Sequence, residues 1–148
     1  MADPTNPSTY FTNDHRACDA LWAEVEAAAE SGDASATQER WEAFDAAMRR
    51  HFQMEEEILF PAVEAAMQMF GMGPTEVMRM EHRQMRGLLD QMAQEVAAGS
   101  LAGLIDQGDT LLMLIQQHNL KEEGMLYPMC DRSLASAWPQ LLERSRAI

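Results

Sequence analysis

The chain holds four histidines, and one offset relates all of them. A shift of 67 residues carries His15 onto His82 and His51 onto His118. The same shift carries Glu55 onto Glu122, Glu56 onto Glu123, Leu59 onto Leu126 and Pro61 onto Pro128, with Phe60 meeting Tyr127. Asp14-His15-Arg16 meets Glu81-His82-Arg83, and Leu21 meets Leu88. Self-similarity at one period marks a duplicated unit, here a helical hairpin. In His51-Phe-Gln-Met-Glu55 and His118-Asn-Leu-Lys-Glu122 the imidazole and carboxylate are four residues apart, which sets both on one helix face about a turn apart.

That face is the apolar one. Trp41, Phe44, Ala47, Met48, Met54 and Ile58 share the stripe of His51 and Glu55, while Leu111, Leu114 and Ile115 share that of His118. A carboxylate aimed into a helical core is costly unless a metal or another cation compensates it. Four imidazoles and two carboxylates make six ligands of the types that suit iron, manganese or zinc. The bland alternative is a metal-free bundle in which the carboxylates pair with Arg16, Arg83 or Lys121.

The elements that must position these groups follow from breakers and caps. Residues 1–12 read as an N-terminal arm. A first helix runs from Asn13 or Asp14 to Glu30, with Ala17, Cys18, Leu21, Trp22 and Val25 on its buried face. A second starts at Ser35, where Ser35-Ala-Thr-Gln38 resembles a capping box, and Pro61 kinks or closes it. The segment Phe70–Pro74 is a linker, a third helix ends at Gly99-Ser100, and a fourth runs from Leu104 through Leu126. A short fifth helix, 134–146, is interrupted by Pro139. The expected fold is all-α: an up-down-up-down four-helix bundle over 13–133, with 134–148 packed on it.

Composition narrows the function. At 148 residues the chain has room for one domain. Its net charge of −13 argues against nucleic acid and against an anionic membrane surface, both of which need a positive face. No apolar run approaches a transmembrane span, and the first residues lack the order of a secretory signal. Two cysteines are too few for a disulfide scaffold, so a cytoplasmic protein with reduced thiols is expected, as a monomer or weak homo-oligomer. The thirteen methionines read as flexible core filler rather than a soft metal site. Cys18, facing as His15 does, reads as a small buried hydrophobe, with a metal-proximal or redox-sensing thiol as the alternative.

His15, His51-x-x-x-Glu55, His82 and His118-x-x-x-Glu122, with the segments His51-Phe-Gln-Met-Glu-Glu-Glu-Ile-Leu-Phe-Pro and His118-Asn-Leu-Lys-Glu-Glu-Gly-Met-Leu-Tyr-Pro, resemble the hemerythrin-like, or HHE cation-binding, family over about residues 10–130. The resemblance implies a non-haem di-iron centre: His15 and His51 on one iron, His82 and His118 on the other, Glu55 and Glu122 bridging them beside an oxo or hydroxo group. The family's oxygen carriers place a further histidine one turn before the position of His82; here that residue is Met78. An apolar lining is expected from Trp22, Phe44, Leu88 and Leu111. Asp14 and Glu81 are expected to be solvated, with a role as hydrogen-bonding carboxylates as the alternative. Tyr10 reaches the site only if the arm folds over it. The implied function is binding of dioxygen or a related ligand such as peroxide or nitric oxide. The alternatives are an oxidoreductase that removes peroxide or nitric oxide, and iron sensing, storage or delivery for repair of iron centres.

Overall fold

The computed structural model describes residues 2–148, and every regular element in them is a helix. The elements are α1 (Pro7–Glu30), α2 (Ala34–Met54), α3 (Phe60–Met67), α4 (Pro74–Ala97), α5 (Leu101–Lys121), α6 (Tyr127–Ser133) and α7 (Trp138–Arg146). A π-turn at Glu55–Leu59 joins α2 to α3, and another at Glu122–Leu126 joins α5 to α6. Helix α1 packs on α2 and α5, and α4 packs on the same two, so the long helices surround one core. None is long and apolar enough to cross a membrane.

Several boundaries differ from those expected, each for a local reason. Helix α1 begins at Pro7 rather than Asn13, so half of the expected arm is helix. Asn6 caps it through Thr9 N–H at 2.8 Å, and Pro7 suits the first turn because its missing N–H has no partner there anyway. Phe11 is fully buried, and Ser8 bonds both oxygens of Asp131, which ties the new turns down. Helix α2 is capped by Asp33, whose Oδ1 accepts from Ala36 N–H at 3.0 Å, not by Ser35. Ser100 caps α5, which starts at Leu101, three residues before Leu104. Pro139 stands in the first turn of α7 and helps to start that helix rather than interrupting it.

Pro61 does not close its helix, and neither does Pro128: the chain stays helical through both. A proline lacks the N–H for the α-type bond and crowds the carbonyl four residues back. A widened turn absorbs both problems: Phe60 and Tyr127 donate instead to the Glu55 and Glu122 carbonyls, five residues back.

Two apolar clusters fill the interior. One holds Phe11, Met54, Phe60, Met78, Tyr127 and Trp138; the other holds Trp22, Trp41, Phe44, Phe52, Leu89 and Leu111. Gly108 on α5 lies under Trp22, and a Cβ there would stand 2.2 Å from the indole ring. Gly108→Ala is therefore expected to destabilise the fold by about 1–3 kcal/mol, because overpacking outweighs the gain in helix propensity of about 1 kcal/mol. Gly87→Ala, which meets nothing within 4 Å, keeps that gain. Melting temperatures that moved the same way in both variants would contradict the packing described.

Candidate metal centre

The centre lies where the two clusters meet, and one helix supplies each histidine. His15 is on α1, His51 on α2, His82 on α4 and His118 on α5, while Glu55 and Glu122 open the two π-turns. All six are buried, and both glutamates and His82 are 0% exposed. His15 and His51 lie with ring centroids 4.6 Å apart, and His82 and His118 with theirs 4.9 Å apart. Ligating atoms of Glu55, His82, His118 and Glu122 all fall within 4.8 Å of one another, as do those of His15, His51 and Glu122. All six residues singled out in the sequence thus come together.

Each carboxylate touches both histidine pairs. Glu55 Oε1 is 3.3 Å from His51 Nε2 and 3.2 Å from His82 Nε2. Glu122 Oε1 is 3.0 Å from His15 Nε2 and 3.1 Å from His118 Nε2. Glu55 Oε1, Glu122 Oε2, His82 Nε2 and His118 Nε2 complete no hydrogen bond although all are buried. Polar atoms left unpartnered inside a protein are costly and call for a compensating group. Imidazole nitrogens and carboxylate oxygens are donors that iron, manganese and zinc accept, so the residues fit a metal.

The outer nitrogens are held as a metal site needs them. His15 Nδ1 donates to Glu123 at 2.7 Å, His51 Nδ1 to Asp14 at 2.7 Å, His82 Nδ1 to Glu56 at 2.6 Å and His118 Nδ1 to Glu81 at 2.9 Å. An ionised carboxylate only accepts, so the proton of a neutral imidazole stays on Nδ1 and the Nε2 lone pair faces inward. Arg16 holds Glu123 at 2.7 Å, Arg86 grips both oxygens of Glu56 at 2.8 and 3.0 Å, and Lys121 pairs with Glu81. The expectation of solvated Asp14 and Glu81 is therefore corrected. Each serves the histidine on the neighbouring helix rather than its own sequence neighbour. Arg16 and Lys121 likewise pair with outer carboxylates and leave Glu55 and Glu122 to the interior.

The surroundings differ from the expected lining. Phe52 stacks on His82 at 4.3 Å, while Trp22 packs on Phe44, away from the histidines. A largely apolar cavity of about 10 Å³ touches His15, His51 and His118 and is bounded by Cys18, Met48, Phe52, Met85 and Ile115, with Asp19 and Asn119 completing its wall. That volume holds one water-sized molecule. Burial pushes the Cys18 thiol up to about 12, with Asp14 and Asp19 adding to it, so Cys18 is a neutral wall of the cavity. Met78 lies in the apolar cluster with Phe11 and Tyr127. The Tyr10 hydroxyl points to the Met54 sulfur at 3.4 Å. The phenol at the centre is Tyr127 instead, whose hydroxyl donates to Glu55 Oε2 at 2.7 Å. Reading the sequence missed it, and the one available signal was the Phe60–Tyr127 mismatch in the repeat.

Charge within the cage predicts an unusual pH response for the chain freed of metal by chelation. Burial opposes charge on His51, but Glu55 and the bond to Asp14 outweigh it and push the imidazole up to about 10. His118, opposed by burial and favoured by Glu122 and Glu81, is pushed up to about 9. Glu55, despite burial, is held well below the carboxylate range, chiefly by His51. A raised histidine stabilises fully below its unfolded value of about 6.5, and that stabilisation is lost as pH rises through about 9 and 10. The lowered carboxylate contributes above about 4.5. Maximum stability of the metal-free chain is thus expected between about pH 4.5 and 6.5, with the melting temperature falling by several degrees towards pH 10. A flat or rising curve over that range would contradict these charge states.

A model of the hemerythrin HHE cation-binding domain matches residues 6–130. No curated protein and no solved structure matches the chain.

Proposed function

The chain belongs to the hemerythrin HHE cation-binding family, and from that premise we propose that it is a non-haem di-iron protein that binds dioxygen or a related small ligand. His15 and His51 would hold one iron, His82 and His118 the other, with Glu55 and Glu122 shared between them in an up-down-up-down four-helix bundle. One observation carries the reading: Glu55, Glu122, His82 and His118 gather ligand-type atoms within 4.8 Å of one another, and each of the four buries a polar atom that has no partner. When bound, an iron pair supplies reversible redox chemistry and open positions for a small ligand.

The chain's own residues set the conditions. The four Nδ1-bound carboxylates fix the imidazole orientation and raise its basicity towards a metal. Phe52, Met48, Met85 and Ile115 make much of the cavity wall apolar, and its volume admits a diatomic ligand more readily than an organic substrate. Both cysteines are free and buried, which suits a reducing compartment such as the cytoplasm.

The deciding experiment is metal content together with the visible spectrum, on protein purified in air and again after anaerobic reduction and re-exposure. Two irons per chain, with bands that change reversibly on adding dioxygen, are expected. Two irons that turn irreversibly ferric would favour turnover or sensing over carriage. Zinc, or no metal, would overturn the di-iron reading.

A further inference from the structure

Among the positions where the two hairpins differ, one puts a hydroxyl against the histidines and glutamates of the centre. Residue 60 is phenylalanine and its counterpart 127 is tyrosine. Both are 0% exposed, and both rings stack on a histidine: Phe60 on His82 at 5.7 Å and 19°, Tyr127 on His15 at 5.5 Å and 29°. Packing needs the ring at both places and the hydroxyl at neither. Yet the Tyr127 oxygen lies 2.7 Å from Glu55 Oε2, 3.0 Å from Glu122 Oε1, 3.1 Å from His15 Nε2 and 3.5 Å from His51 Nε2. A phenol has one proton to give, so it satisfies one carboxylate oxygen and leaves the other facing it with no proton between them. Donor atoms bonded to one ion at about 2.1 Å stand about 3 Å from their neighbours at right angles. The oxygen has that spacing to three of the four.

We infer that Tyr127 Oη is a further ligand of the ion held by His15 and His51, a phenolate oxygen that the His82–His118 position lacks. The inference rests on the two-metal reading above. The phenol proton leaves to solvent as the oxygen binds. A hard anionic oxygen favours ferric over ferrous iron, so the two positions differ in the oxidation state they prefer although the repeat makes their histidines alike.

The test is resonance Raman spectroscopy of the whole chain, loaded with ferrous iron and oxidised in air, with metal analysis on each sample. The only tyrosines are Tyr10 and Tyr127, so the signal is assignable. Ring and C–O modes of an iron-bound phenolate are expected in the unmodified protein and in Tyr10→Phe, and are expected to vanish in Tyr127→Phe. That variant keeps a ring at position 127, as the other hairpin does at 60. It should retain two irons, one of them at least about tenfold weaker in chelator competition. The double variant Phe60→Tyr/Tyr127→Phe should regain the modes from the other half. Two irons per chain without phenolate modes, or modes that survive Tyr127→Phe, would overturn the ligand assignment alone. Failure to take up iron at all would overturn the two-metal reading and this inference with it.

Discussion

Glu55→Ala and Glu122→Ala are each expected to take the chain from the two metal ions proposed for it to fewer than one. The reason is that neither carboxylate belongs to a single half. Glu55 stands against His51 and His82, and Glu122 against His15 and His118, all at 3.0–3.3 Å. Removing either takes an anionic donor from both positions at once, and the other carboxylate already stands against one histidine of each pair. The metal-free fold should weaken too, because His51 and His118 draw their positive charge from these carboxylates. Breaking a buried charge pair from one side costs about 3–5 kcal/mol. Glu55→Gln and Glu122→Gln separate the effects, since they keep the volume and lose the charge. Metal analysis after dialysis reads the first effect and thermal melting the second. Retention of two ions by both alanine variants would defeat the shared-carboxylate assignment.

Phe11→Ala is expected to destabilise the protein by about 3–5 kcal/mol, the usual loss for a buried phenylalanine. For a chain of this size that is a fall of roughly 10 °C in melting temperature. Phe11 is 0% exposed and lies between Tyr10, Trp138, Tyr127 and His51, at ring centroid distances of 5.1, 6.4, 5.6 and 5.8 Å. It bridges the C-terminal helix to the histidine cage. Looser packing on His51 should also speed metal loss to a chelator. An unchanged melting curve would mean that residues 7–12 behave as the loose arm their proline and two threonines suggest. Asn6 decides the matter locally, because a capped first turn with Pro7 in it is already half of a helix.

The helical class and the inward placement of four histidines and two glutamates were legible because they rest on period and repeat. Histidine and glutamate at a spacing of four share a face in any α-helix, and duplication supplies the second copy. The linker at Phe70–Pro74 and the turns at 31–33 and 98–100 were legible from glycine, proline and capping residues. The outer carboxylates were not. Asp14 is next to His15 in sequence but bonds His51 across the interface between α1 and α2, and Glu123 reaches His15 across 108 residues. No local rule specifies such a partner, although the repeat does relate Asp14 to Glu81 and Glu56 to Glu123.

Tyr127 marks the limit most sharply. In an unbroken α-helix a residue five places after Glu122 points about 140° away from it. The π-turn at Glu122–Leu126 lowers that angle by adding a residue to the turn, and so the phenol swings onto the ligand face. The sequence by itself determined which residues are chemically able to bind metal and which helix face carries them, because both follow from side-chain type and a fixed period. Only the tertiary structure decided which carboxylate holds which histidine, which aromatic residue enters the cage and how large a molecule fits beside it. Those depend on how separate helices are rotated against one another and on a turn whose width no helical period encodes.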